Sequence, residues 1–171
     1  MSFLQYLQDL DISQWIATSD WGYPIMLAIH SIGLAMAVGV AVMIDLRVLG
    51  FAKNVPLSGF SRLVRYAWAG FIINAASGVL LFMSDAVLLS VNWPFWLKMA
   101  NVVIGAVTLM LLTRDLRFGE FYVLNGEAVL AQPVVTSRAR VLAIVSMCAW
   151  MAAIDSGRLI AYVVDSAVLN H

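Results

Sequence analysis

An all-α integral membrane protein is the fold class this sequence predicts: an antiparallel bundle of four transmembrane helices with a short N-terminal interfacial helix. Three observations lead there. Of 171 residues, 63% are hydrophobic and 12% charged, whereas a soluble domain is about half apolar and about a quarter charged. The apolar residues gather in four runs, near 23–46, 66–89, 95–112 and 141–164. Each run is close to the ~20 residues a helix needs to cross ~30 Å of hydrocarbon. The cations, finally, are distributed very unevenly between the connections.

Each element has a local reason. Lipid cannot satisfy open backbone groups, and no run alternates with the period of a barrel strand, so the spans are helices. Pro24 opens the first and Pro94 the third, where a missing N–H costs nothing. Before the first span, Phe3, Leu7 and Leu10 share a helical face while Gln5, Asp9 and Asp11 lie off it. That pattern predicts a short helix resting on a leaflet within 1–20. The start also lacks the basic n-region of a signal peptide. The third connection, "DLRFGEFYVLNGEAVLAQPVVTSR", is too long for a tight turn and mixes apolar residues with glycines, so contact with the membrane or a partner is expected there.

Orientation follows from the basic residues. Arg47, Lys53, Arg62 and Arg65 flank the first connection, and Arg114, Arg117, Arg138 and Arg140 the third. The N-terminal segment has none, and the second connection has only Lys98 nearby. The positive-inside rule then places both basic connections in the cytoplasm and both termini outside. Trp15, Trp21, Tyr23, Trp93 and Trp96 fall at the outer boundary, as an aromatic belt would. The chain reads as a single membrane domain over 1–171. A net charge of zero excludes a nucleic-acid binder, and the lone Cys148 excludes an intrachain disulfide.

Polar groups inside the runs carry the functional signal, because a charge at the centre of a membrane helix costs at least ~2.5–3.5 kcal/mol. His30 interrupts the first span about 9 Å below its outer end at helical rise. Lys98 and Asn101 lie near the outer start of the third, and Asp155 and Arg158 in the outer third of the fourth. Four spans, with Asp85 closing the second, thus bring polar groups to one depth. His30, Gly33, Ala37 and Ala41 form one strip, Gly70, Asn74 and Gly78 another, and Lys98, Asn101, Gly105 and Thr108 a third. Small strips let a neighbouring helix or a flat cofactor approach the backbone. The plainer reading of each is helix packing. Lys98 can snorkel to the interface, and Asp155 can simply neutralise Arg158 at i, i+3.

An imidazole seldom packs better than leucine, so His30 points to haem ligation, proton relay or a hydrogen bond to a quinone. Haem b would set Gly33 and Ala37 beside the macrocycle and use Lys98 or Arg158 for propionates. Its second axial ligand would be a methionine, His171, or His30 of a second copy.

The motifs "IHSIGLAMAVG", "DLRVLG" at 45–50, "PFWLKM" at 94–99 and "GRLIAYV" at 157–163 together resemble a family of small uncharacterised bacterial inner-membrane proteins. The resemblance covers all four spans and implies a four-helix protein of the bacterial cytoplasmic membrane with both termini periplasmic. More loosely, the chain is similar to haem-b membrane cytochromes and to the copper-resistance membrane proteins of the D type, although their paired histidines are absent here.

Three functions are therefore expected, in order. The first is an electron-transfer subunit binding haem b or a quinone near His30, with Gly33, Ala37, Lys98, Asn101, Asp155 and Arg158 around it. The second is a non-catalytic anchor that packs against itself or a membrane-complex partner. The third is a proton-coupled carrier using His30, Asp155 and Arg158. No Ser–His–Asp set, metal-ligand cluster or nucleotide motif suggests a stand-alone enzyme.

Overall fold

The computed structural model describes residues 2–116, 121–124, 127–130 and 134–169. Four helices in it are long and apolar enough to cross a membrane. These are α3 (Gly22–Leu49), α4 (Phe60–Ser84), α6 (Trp93–Asp115) and α7 (Ser137–Leu169). They outrun the apolar windows at several ends, since hydropathy marks only the hydrocarbon-compatible part of a helix, and flanking arginines such as Arg62 continue it comfortably. The second window overshoots instead. Asp85 adopts φ −134°, ψ 36° and ends α4, and the last apolar residues form a separate turn of helix, α5 (Ala86–Ser90).

The N-terminal segment is two helices rather than one, α1 (Phe3–Gln8) and α2 (Asp11–Thr18). Ser2 and Gln5 close a capping box at the start of α1. Leu10 is extended between the two helices (φ −65°, ψ 140°). Its place in the apolar pattern hid that break. Ser13 Oγ donates to Leu7 O at 2.7 Å, tying the two together, and the fully buried Ile16 seats α2 against α3 and α4.

The third connection holds a short antiparallel hairpin, β1 (Phe121–Leu124) with β2 (Glu127–Leu130), in the register Phe121 to Leu130. The all-α expectation missed it. A signal was present: the β-prone Phe-Tyr-Val-Leu at 121–124 is followed by an Asn-Gly dipeptide at 125–126, a strong short-range hairpin signal.

α3 packs along α4, α6 along α7, and α3 along α7. The first contact is nearly backbone to backbone. A Cβ added to Gly33 would lie 2.6 Å from Asn74 N and 2.8 Å from Gly70 O, and one on Gly70 would meet Ala37 N at 2.9 Å. Glycine is needed because nothing larger fits between the helices. In the second contact the buried Trp150 indole lies flat on Gly105, whose added Cβ would be 2.7 Å from ring carbon Cε2. Around these contacts sits one core, built by Ala41, Ile44, Val48, Leu109, Leu112 and Ala143 among others. Outside it the long helices stay bare: Ile72, Val79, Val103 and Val141 are all more than half exposed.

Candidate functional site

His30 is fixed to α4 by a reciprocal pair of bonds. Its own backbone carbonyl accepts from Asn74 Nδ2 at 2.8 Å, and its ring Nδ1 lies 2.9 Å from the backbone oxygen of Asn74 and 3.2 Å from Ser77 Oγ. A carbonyl can only accept, so Nδ1 carries the hydrogen. The Ser77 hydroxyl donates to Ile73 O at 2.7 Å and can receive the second arm of that N–H. The other ring nitrogen, Nε2, is left with its lone pair on the edge turned away from Asn74. Gly78 makes room for the ring, since a Cβ there would sit 3.1 Å from His30 Cε1.

Two cavities meet at this imidazole, with volumes of about 390 and 320 Å³. Both are within the range of small-molecule sites, ≈300–1,000 Å³. They share His30, Gly78, Phe82, Phe95 and Lys98 as walls. Phe82 of α4 and Phe95 of α6 stack with centroids 5.2 Å apart and planes 21° from parallel. The larger cavity is lined by all four long helices and reaches Tyr23, Asp85 and Leu88. Lys98 lies along α7, its Cδ, Cε and Nζ within 3.7–3.9 Å of where a Cβ on Gly157 would be. Among the described residues no carboxylate pairs with it. The site therefore presents the His30 imidazole and the Lys98 ammonium, with Tyr23 and Asp85 also on the wall of the larger cavity and the stacked Phe82 and Phe95 rings on the walls of both.

Of the residues read from sequence as site candidates, the structure brings His30 and Lys98 together and places the others elsewhere. Gly33 and Ala37 are spent on the α3–α4 contact, with α4 filling the space beside them. Asn101 donates from Nδ2 to Leu97 O within its own helix and lines neither cavity. Asp155 and Arg158 are exposed, on the face of α7 that also carries Met151 and Tyr162; it is Gly157 and Ile160 that turn to the cavity. Among the described residues no cluster of His, Cys, Asp and Glu of metal-binding size occurs. His171 lies outside the described residues.

Sequence reasoning passed over Ser77, the Phe82–Phe95 stack and Asp45. The first two had no signal beyond ordinary composition. Asp45 looked like the polar end of a span, but α3 runs on to Leu49 and the carboxyl is fully buried with neither oxygen hydrogen-bonded. Ser146 of α7 is its polar neighbour, and neither its Oγ nor the carboxyl makes a hydrogen bond of good geometry. On the long helices the other buried hydroxyls, Ser77, Ser84, Thr108 and Ser156, bond back to a carbonyl three or four residues earlier; Ser146 does not. An unsatisfied buried group costs about 1–3 kcal/mol, more when charged. Asp45→Asn keeps the shape, cannot ionise, and supplies an amide donor for Ser146 Oγ. Thermal unfolding in detergent should show the variant more stable by roughly 1–3 kcal/mol; a loss would mean that the carboxylate holds a counter-ion.

Comparison with protein-family models, with curated proteins and with solved structures finds no match for this chain.

Proposed function

We propose that the protein is a four-span subunit of a bacterial cytoplasmic membrane, with both termini periplasmic, that binds a quinone between His30 and Lys98 and serves electron transfer. Membrane insertion is supported by the bare apolar faces of α3, α4, α6 and α7, since a soluble monomer rarely exposes more than a few hundred Å² of contiguous apolar surface. The exposed Trp15, Trp21, Tyr23, Trp93 and Trp96 belong to the end that carries α1, α2 and α5, where an outer interfacial belt would lie.

The observation that carries the quinone reading is the tautomer. With Nδ1–H committed to Asn74 O, Nε2 can accept the hydroxyl hydrogen of a quinol, while the Lys98 ammonium donates to an oxygen of the ring. The Phe82 and Phe95 rings offer the flat walls a planar headgroup needs. The same Nδ1–H to carbonyl bond also favours a second reading, haem b on His30 Nε2, because it is how metal-bound imidazoles are oriented. Met99 lines the smaller cavity with His30, and its thioether would be the second residue to hold such a group.

The experiment is a visible spectrum of the detergent-purified protein, oxidised and then dithionite-reduced, followed by titration with a short-chain quinone, each beside His30→Leu. Saturable quinone binding, weakened at least about tenfold in the variant, is the expected result. A Soret band that sharpens on reduction and is lost in His30→Leu would establish haem instead. A colourless protein that binds no quinone would leave the anchor role.

A further inference from the structure

The smaller cavity differs in character from the larger one. Beyond His30, Asn74 and Lys98 its walls are wholly apolar, with Ala75 and Val79 on α4 and Met99, Val102 and Val103 on α6. It runs between α4 and α6, which do not pack along one another: α3 lies on α4, α6 on α7 and α3 on α7, whereas α4 reaches α6 through the Phe82–Phe95 stack. Val79 and Val103 are each 57% exposed, so the slot reaches the outer surface of the helix array. Its depth is telling. Val103 is ten residues into α6 from Trp93, about 15 Å along the axis at helical rise and so near the middle of ~30 Å of hydrocarbon. A polar ligand has no route through that opening; a hydrocarbon chain does.

We infer that the slot between α4 and α6 is a lateral portal, and that its occupant is the isoprenoid chain of a quinone whose headgroup sits at His30 and Lys98. The inference rests on the quinone reading and extends it to the chain and the entry path. Continuity argues for this occupant over a partner helix. The slot adjoins the headgroup cavity and shares His30, Gly78, Phe82, Phe95 and Lys98 with it as walls, so whatever fills it touches the residues of the polar site as well. A chain moving from lipid to this slot leaves one hydrocarbon for another and gains no hydrophobic free energy. The portal therefore governs which quinones can seat fully, rather than how tightly the headgroup is held.

The test uses the full-length protein in phospholipid nanodiscs and two ubiquinones, one with a single isoprene unit and one with eight. Val79→Phe combined with Val103→Phe narrows the slot from both sides at positions that face lipid. Binding of the eight-unit quinone should fall at least about tenfold while the one-unit quinone binds as to wild type, which also shows that the variant is folded. An eight-unit quinone carrying a diazirine on its chain should label residues of 75–79 and 99–103. Equal binding of both quinones by the variant, or chain labelling near Tyr23 and Leu88 at the mouth of the larger cavity, would overturn the portal and leave the headgroup site standing. Labelling in the slot that excess eight-unit quinone does not displace would make it a phospholipid site and overturn the portal equally. Failure of wild-type protein to bind even the one-unit quinone would remove the quinone reading and the portal with it.

Discussion

Gly70→Leu is expected to separate α3 from α4 and cost the folded protein at least about 3 kcal/mol, read as a fall in thermal unfolding temperature or as failure to purify intact. The atoms that a side chain at Gly70 would strike are Gly33 O at 2.8 Å and Ala37 N at 2.9 Å, with Met36 Cβ at 2.5 Å. The first two are backbone, which no rotamer change can move. The helices must part, and parting them also breaks the reciprocal His30–Asn74 bonds one turn away, each worth roughly 0.5–1.5 kcal/mol. Gly39 on α3 is the control. A Cβ there meets nothing within 4 Å, and Gly39→Ala should stabilise slightly, by up to about 1 kcal/mol of helix propensity. Equal losses at both positions would show that the α3–α4 crossing is not where the close contact lies.

That contrast illustrates what the sequence can and cannot disclose. The strips at 30, 33 and 37 and at 70, 74 and 78 are legible because helical periodicity alone puts them on one face. Which strip faces which is a matter of pairing between helices, and periodicity does not carry it. Only in the structure does Gly33 prove to lie against Gly70, so that the space it provides holds α4. Asp155 and Arg158 make the same point differently. Counting residues from Arg140 gives their depth along α7, but rotation about the axis is set by which face the bare apolar surface and the Gly105–Trp150 contact select. The pair faces outward, and Gly157, which bears no chemistry of its own, is the α7 residue beside Lys98. Asp45 escaped notice because a charge at the edge of an apolar run is the ordinary sign of a helix leaving the membrane, and burial by α7 is not written in α3.

Loss of ligand with His30 still in place is the result that would separate the imidazole's orientation from its mere presence. Gly78→Leu should produce it. A Cβ at Gly78 already comes within 3.1 Å of His30 Cε1 and 3.4 Å of Nδ1, so one methyl group would press the ring and the branched side chain of leucine would displace it. The ring would leave Asn74 O, Nδ1 would lose the acceptor that commits its hydrogen, and Nε2 would no longer be the obligatory lone-pair nitrogen. Ligand affinity should drop at least about tenfold, as in His30→Leu. The α3–α4 crossing should survive, because Gly70 lies eight residues, about 12 Å, further along α4. Gly78→Ala should fall between wild type and Gly78→Leu, since the neighbour must then give only a few tenths of an ångström. The measurement is the quinone titration and reduced-minus-oxidised spectrum repeated on both variants, alongside their unfolding temperatures. Full binding by Gly78→Leu with an unchanged unfolding temperature would mean that the ligand does not depend on how Asn74 and Ser77 hold the ring. His30 would then be a packing residue of the α3–α4 pair, and the search for a ligand contact would move to Lys98.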